Sequence, residues 1–406
     1  MNTDIEFTSY ITNFINDMNE TDSFEKLTKY FSDKKIMETK ENILYFFNLI
    51  SNITDKYNNN SDINNKITKV ISFYSKDIKE FFNDFEIFTE FKSNKSLVLY
   101  LIYNESISLK EITMTSTTII ESKLFEGLTS LEEITITSTL KTIDDYAFNG
   151  CTSLKKILIP TSVNTIGEYA FNRCKSLTKI NIPKSVNKIG KYAFCCCINL
   201  TEIIFDVDIE TIEEKTFYDC KSLESIIIPY KVNKIDKYAF SGCSSLTKIT
   251  LPSTLISIED FAFERCTSLK RITFNNLIKN IGFGAFSKCK SLENIELTDK
   301  ITKIEGKTFN SCTSLKNISI PDSVDSIGYK AFNRCISLEN ITLNKSLKSI
   351  DKAAFYMCSS LKEISIPLFV EVIEEYTFYK CTSLSAVSLK YNISKIRKFA
   401  FCDCTS

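Results

Sequence analysis

A phenylalanine recurs with a constant 23-residue period through most of this chain, and this period constrains the fold more than any other feature. The first is Phe125 and the last is Phe401, with no slip between them. A cysteine stands three residues after each of the last twelve phenylalanines, and a leucine column runs at the same spacing from Leu131 to Leu384. Several columns in phase over so long a stretch indicate a stacked repeat array. We count thirteen units, beginning at about residue 105.

One unit shows how the repeat is predicted to fold. Leu154, Ile157 and Ile159 have the spacing of the inward face of a β-strand. Pro160 ends the strand because proline has no N–H to donate to a neighbouring strand. Further along, Phe171 returns to the interior. A single unit cannot bury its apolar face alone, so we expect successive units to stack on one another.

The pattern Leu-x-x-Ile-x-Ile-Pro-x-x-Val-x-x-Ile-Gly-x-x-Ala-Phe-x-x-Cys resembles the 23-residue leucine-rich repeats of the BspA-like family, over about 300 of the 406 residues. That resemblance implies an α/β repeat solenoid, a right-handed coil with one parallel β-sheet. The family includes bacterial surface proteins and large expansions in parasitic protists, often discussed as adhesins or interaction proteins. It therefore implies binding rather than a reaction. The abundant Asn, Lys and Ile would suit a protist.

The segment before the repeats differs in composition. Residues 1–104 contain no glycine, proline or cysteine, and apolar residues such as Ile43, Phe46 and Phe47 recur at helical spacing. This predicts two domains, a small all-α N-terminal domain over 1–104 and the solenoid over 105–406. The first would cap the exposed end of the repeats, or serve as a partner-binding or dimerising module.

Charge and hydropathy bear on partners and location. Lys+Arg and Asp+Glu both number 50, so nothing in the composition favours nucleic acid or an anionic membrane as a partner. No stretch approaches the ~20 apolar residues that span a bilayer. The first residues lack the basic and apolar regions of a secretory signal. We therefore expect a cytoplasmic protein, with the cell surface as the alternative.

The absence of histidine restricts the chemistry. It removes Ser-His-Asp and Cys-His catalysis and every zinc site that uses imidazole. Acidic pairs such as Glu213-Glu214 fall at turn positions that are usually solvated surface, and the chain has no glycine-rich phosphate loop. We therefore predict no catalytic residues, no cofactor and no enzymatic activity.

The chain has fifteen cysteines, twelve of them in the column, where a small apolar side chain is needed. Cysteine packs as a small hydrophobe, which favours buried free thiols there. Disulfides between neighbouring coils and a metal site remain alternatives. Cys195, Cys196 and Cys402 lie beside the column, and the run Cys195-Cys196-Cys197 offers three thiols that could chelate a soft metal.

The outward positions of the predicted strands form the candidate binding face. The fifth position of most units is small and polar, but Leu158, Ile204 and Ile227 are apolar, and Phe205 is close in sequence. A partly basic band runs beside them. The candidate partner-binding residues are Lys156, Leu158, Lys179, Ile204, Ile227, Lys248 and Arg271. The alternative is scattered surface variation.

These patterns predict a protein–protein interaction scaffold with a protein partner, no nucleic acid and no membrane span. The alternative function is a cell-surface adhesin that binds host or extracellular-matrix protein. The sequence stops at Ser406 without a polar capping unit, which solenoid ends normally need. We expect either that the chain is truncated there or that self-association or a partner covers that end.

Overall fold

The computed structural model describes residues 110–114, 117–136, 138–205, 207–389 and 392–406. The chain divides into two units, Met1–Thr115 and Ser116–Ser406. Strand β1 (Glu111–Met114) is the described part of the first unit. The predicted helical domain over 1–104 lies outside the described residues.

Each coil of the second unit contributes two short strands. We number the coils by the repeat leucine, so that coil 2 begins at Leu131 and coil 13 at Leu384. The first strand of a coil begins two residues after that leucine. With all strands numbered in chain order, this row consists of β3 (Glu133–Ile136), β5 (Lys156–Ile157), β7 (Lys179–Ile182), β9 (Glu202–Phe205), β11 (Ser225–Ile227), β13 (Lys248–Thr250), β15 (Arg271–Ile272), β17 (Asn294–Ile295), β19 (Asn317–Ser319), β21 (Asn340–Thr342), β23 (Glu363–Ser365) and β25 (Ala386–Ser388).

The second strand of each coil forms another row, nine residues further along the chain. It consists of β2 (Ile119–Ile120), β4 (Thr142–Ile143), β6 (Thr165–Ile166), β8 (Lys188–Ile189), β10 (Thr211–Ile212), β12 (Lys234–Ile235), β14 (Ser257–Ile258), β16 (Asn280–Ile281), β18 (Lys303–Ile304), β20 (Ser326–Ile327), β22 (Ser349–Ile350), β24 (Val372–Ile373) and β26 (Lys395–Ile396).

Pairing is parallel in both rows, and it joins residues one repeat apart. Ile134 pairs with Ile157 in the first row, and Ile143 pairs with Ile166 in the second. Each row is divided into several sheets of two to four strands. The expectation of one parallel sheet is therefore wrong, because a coil meets its neighbours along two separate strands.

The expected α/β character is also wrong, since the described residues contain no helix. The segment that follows the second strand of each coil runs through turns instead. Two residues per coil have positive φ, as at Tyr146 (58°) and Gly150 (77°), and then at Tyr169 (54°) and Arg173 (60°). Each non-glycine residue in this left-handed region costs roughly 1–2 kcal/mol, and a right-handed helix cannot continue through it.

Backbone hydrogen bonds between coils explain why these turns persist. The N–H of Tyr146 donates to the carbonyl of Glu168 at 2.8 Å, and the N–H of Phe148 donates to that of Ala170 at 2.8 Å. In an α-helix these donors would bond four residues back along the same chain. The return segment thus forms a third row of inter-coil hydrogen bonds.

The phenylalanine column is the centre of the core. Consecutive rings are nearly parallel, with centroids 5.1 Å apart between Phe125 and Phe148 and 5.4 Å apart between Phe240 and Phe263. Phe263 has 0% of its surface exposed. The prediction that this column is core, rather than an aromatic binding stripe, is confirmed.

The cysteine column packs beside the rings. Its members are free thiols, and all except Cys404 are buried. Each Sγ donates to the carbonyl of a phenylalanine 26 residues earlier, as from Cys151 to Phe125 at 3.0 Å and from Cys266 to Phe240 at 3.2 Å. Each thiol is a second donor to a carbonyl that already accepts a backbone N–H, as the Phe240 carbonyl does from Cys243 at 3.1 Å, and an alanine could not donate. Burial also raises the pKa of these thiols.

We predict that Phe263→Ala lowers the free energy of unfolding by about 3–5 kcal/mol, because it leaves a cavity between two stacked rings. Urea unfolding followed by circular dichroism measures the change. The matched control is Phe369→Ala, since the Phe369 ring is 58% exposed and its removal leaves no core cavity. Equal unfolding midpoints for the two variants would contradict a stacked phenylalanine core.

Candidate partner-binding face

In the first row of strands, the side chain of every second residue is exposed. We call the outward surface of this row the strand face. The alternation is clear in β7, where Lys179 and Asn181 are exposed and Ile180 and Ile182 are buried. All seven candidate binding residues are exposed, as predicted from the repeat.

Two of the three apolar candidates lie on adjacent coils. Ile204 is 53% exposed on β9 and Ile227 is 71% exposed on β11, and these strands are neighbours. The two strands are in contact although they belong to different sheets, so the two isoleucines, one repeat apart, are neighbours on the strand face. We call them the isoleucine pair. Leu158 is 64% exposed but lies two coils from Ile204, with Asn181 between them.

Phe205 does not belong to this apolar surface. Its side chain is buried, and its ring meets that of Phe217 edge-on with centroids 5.8 Å apart. Phe205 occupies the sixth position of its unit, which points inward. Its proximity in sequence suggested that Phe205 contributes to the apolar surface, but strand alternation turns its side chain inward.

Ion pairs neutralise the first half of the predicted basic band. Lys156 Nζ lies 3.7 Å from a carboxylate oxygen of Glu133, and Lys179 Nζ lies 2.7 Å from one of Glu202. The hydrogen bond from Lys179 to Glu202 raises the lysine pKa. Both partners stand one repeat away along the chain, so the periodicity itself could have revealed them.

The second half of the band keeps its charge. Lys248 on β13 and Arg271 on β15 make no ion pair with any described residue. Ser225, rather than a carboxylate, pairs with Lys248 in the strand register. The isoleucine pair therefore lies between neutralised charges on one side and two free cations on the other.

A depression with a polar rim and a partly apolar lining, which the sequence analysis did not predict, continues the strand face beyond Arg271. Its volume is about 830 Å³. Asn294, Asn317 and Asn340 repeat along it, and the Asn340 side-chain amide donates to Asn317 Oδ1 at 3.0 Å. We call this the asparagine groove; its polar rim is formed by Arg271, Asn294, Glu296, Asn317 and Asn340. The sequence contained a signal for this groove, namely three asparagines spaced 23 residues apart.

The half-buried acidic pairs Glu213-Glu214 and Glu374-Glu375 each form ion pairs with basic side chains of neighbouring coils. Glu214 lies 3.6 Å from Lys191, while Glu374 pairs with Arg397 at 2.9 Å. Burial, together with the nearby Asp236 carboxylate, raises the pKa of Glu213.

The three consecutive cysteines do not converge. The Sγ atoms of Cys195 and Cys196 lie 3.5 Å apart, while Cys197 Sγ donates to the Phe171 carbonyl at 3.2 Å in the core. No group of three potential metal ligands occurs among the described residues. The hydrogen bond from Cys195 lowers the pKa of the half-buried Cys196 to about 7.

The profile of the BspA type leucine-rich repeat region matches residues 99–224, 210–316 and 302–406. The chain belongs to this family. The resemblance read from the sequence is thereby confirmed. BspA-type and other leucine-rich repeat proteins commonly act in protein–protein interaction or at surfaces, and are typically non-enzymatic.

Solved structures of other repeat proteins resemble this BspA-type chain. A leucine-rich repeat protein from Bacteroides ovatus is 32% identical, with a TM-score of 0.68 over 74% of this chain and 77% of that one. A leucine rich cell surface protein from Faecalibacterium prausnitzii is 30% identical, with a TM-score of 0.43 over 62% and 83%. A leucine-rich repeat protein from Eubacterium ventriosum is 21% identical, with a TM-score of 0.47 over 75% and 89%.

No protein of curated function matches the sequence significantly. In the described part of the chain, no helix is long and apolar enough to cross a membrane.

We predict that iodoacetamide at pH 7 modifies Cys196 first among the fifteen thiols. The thiolate is the reactive form, and a pKa of about 7 makes about half of Cys196 thiolate at that pH. Cys402 should react more slowly, because partial burial and the Asp403 carboxylate raise its pKa. Peptide mass spectrometry measures the order of labelling.

The matched variant is Cys195→Ala, which removes the hydrogen-bond partner of the Cys196 thiol. The pKa of Cys196 should rise, so labelling should slow at pH 7 and recover towards pH 9. Labelling of the column thiol Cys266 as fast as Cys196 in the folded protein would contradict the burial described above.

Proposed function

We propose that this BspA-type protein is a protein–protein interaction scaffold that binds its partner through the strand face, centred on the isoleucine pair. The single observation that carries the proposal is the exposure of Ile204 and Ile227 on adjacent strands. Most coils have threonine or serine at this position, as at Thr250 and Ser319. Apolar side chains at the centre of an interface, with polar residues around them, are typical of binding sites.

Burial of this pair supplies affinity. Complete burial of an exposed isoleucine side chain stabilises an interface by roughly 1.5–3 kcal/mol. Both residues lie on paired strands, so their backbone does not have to become ordered on binding. Two such side chains therefore offer a compact anchor for a partner.

The polar groups beside the isoleucine pair determine how a bound partner is oriented. Lys248 and Arg271 present free cations on one side of the isoleucine pair. The asparagine groove beyond them offers amide donors and acceptors, including Asn294 and Asn340. This arrangement supports a partner that places an apolar residue on the pair and acidic or polar groups towards coils 7 to 11.

We further propose that the interaction takes place inside the cell. Fifteen free thiols support this setting, since reducing compartments keep cysteines in that form. The competing role is binding to host or matrix protein at the cell surface. The place where the partner is found distinguishes the two roles.

We predict that Ile204→Ser/Ile227→Ser weakens partner binding about 100-fold or more, because it removes the apolar anchor. Partners are first captured from lysate of the source organism with wild-type protein and identified by mass spectrometry. The dissociation constant of the purified partner is then measured by calorimetry. Serine occurs at this strand position in other coils, as at Ser365, so the variant is expected to fold.

Ile256→Ser/Ile336→Ser is the matched control. These isoleucines are 42% and 44% exposed and lie off the strand face, so the same substitutions should leave binding unchanged. Equal affinity of both variants for the partner would contradict a site on the strand face. Retention on host cells or matrix, with no partner in lysate, would favour the adhesin role instead.

A further inference from the structure

The return segments of coils 7 to 12 form a second groove, on a different surface from the strand face. Its volume is about 620 Å³. The depression exists because side chains are small where other coils have large ones. Ala353 stands where Tyr169 and Tyr376 stand in other coils, and Ser287 stands where Tyr218 stands. We call this depression the turn-face groove.

Cations line the turn-face groove on four consecutive coils. They are Lys288, Lys307, Lys330, Arg334 and Lys352. Glu264, the one carboxylate in the lining, pairs with Lys288 at 2.9 Å, and Glu375 outside the groove pairs with Lys352 at 2.6 Å.

Three of these cations have no acidic partner, although Lys307 and Lys330 lie over the rings of Phe283 and Tyr329. Lys307, Lys330 and Arg334 make no ion pair with any described residue. Lys307 and Lys330 replace the tyrosines that stack at the same position in coils 2 to 4, such as Tyr146 and Tyr169. The groove therefore has a local positive charge, although the net charge of the whole chain is zero.

The floor of the groove is a ladder of polar side chains. The amide of Asn333 donates to Asn310 Oδ1 at 2.6 Å, and the amide of Asn310 donates to Ser287 Oγ at 3.1 Å. These groups satisfy one another, so the floor is preformed. A ligand meets a preformed polar surface with cationic side chains beside it.

The shape of the groove favours a linear ligand over a compact ion. Its cations extend over coils 8 to 11, about 14 Å along the groove, and the three without an acidic partner lie on coils 9 and 10. Coils 7 and 12 are separated by five repeats of about 4.8 Å, or about 24 Å. An extended peptide covers that distance with about seven residues.

The aromatic rings of the groove disfavour single-stranded nucleic acid, which binds by stacking bases on free ring faces. Phe261 stacks on Tyr238 at 5.0 Å, and Tyr356 stacks on Tyr379 at 5.0 Å. Tyr376 stacks on Phe399 at 5.2 Å. Each of these three rings has one face covered by its stacking partner, and Lys330 Nζ lies 5.0 Å from the centre of the Tyr329 ring, so little free ring surface is left for a base.

We propose that the turn-face groove binds an acidic, extended segment of a protein, through Lys307, Lys330 and Arg334. The segment carries several Asp or Glu side chains within about seven residues. This site is separate from the strand face, so a single chain can hold two protein segments at once.

Fluorescein-labelled hexaglutamate is the probe, with hexaglutamine as its uncharged counterpart, and fluorescence anisotropy measures binding to the full chain. We expect the wild type to bind hexaglutamate, and to bind it more weakly as salt increases because the charges are exposed. Lys307→Gln/Lys330→Gln/Arg334→Gln should weaken binding about tenfold or more, since each exposed ion pair contributes a modest amount.

Lys184→Gln/Lys279→Gln/Lys300→Gln is the matched control, since it removes the same charge from exposed positions outside the groove. Thermal unfolding midpoints equal to the wild type show that both triple variants are folded. The proposal is overturned if the wild type does not bind hexaglutamate, or binds hexaglutamine as well. It is also overturned if both triple variants lose the same affinity, or if a six-nucleotide oligothymidine binds more tightly than hexaglutamate.

Discussion

Backbone hydrogen bonding between successive coils is the interaction on which the rest of this structure depends. Two rows of parallel strands and one row of turns connect each coil to the next, with partners about one repeat apart throughout. Because these bonds fix the register, every side chain meets its counterpart from the neighbouring coil. The phenylalanine stack, the thiol–carbonyl bonds and the asparagine ladders all follow from that one alignment.

The residue columns were predictable because burial and period coincide in them. Strand alternation placed Ile204 and Ile227 outside, and the 23-residue period placed Phe263 inside, without any structure. Prolines mark the corner after the first strand, and their carbonyls accept the N–H three residues later, as from Val163 to Pro160 at 3.0 Å. Where proline is missing, Asn275 takes over the corner, and its side-chain oxygen accepts the Leu277 N–H at 2.6 Å.

The turns were not predictable, because their residues lack the usual signal for a left-handed backbone. Glycine is the residue that adopts positive φ without strain, yet Tyr192, Asp219 and Arg265 do so here. Inter-coil hydrogen bonds impose the conformation, and no local sequence pattern reports them. Gly242 shows what a glycine adds: a Cβ there would lie 1.9 Å from Asp219 Oδ1, and its absence lets Arg265 reach Asp219 at 3.2 Å across a whole coil. The turn-face groove was equally hidden, since it arises from small side chains that look ordinary until the columns are aligned.

The constant offset between paired residues also determines which changes in chain length the fold can absorb. Loss or duplication of one whole repeat within the array joins a strand to an equivalent strand, and every remaining column stays continuous. Loss of a single residue moves Phe and Cys out of alignment with all the coils on one side of it. The fold therefore tolerates insertion or deletion of a whole coil. A binding face can lengthen or shorten by one coil while the remaining coils keep their contacts.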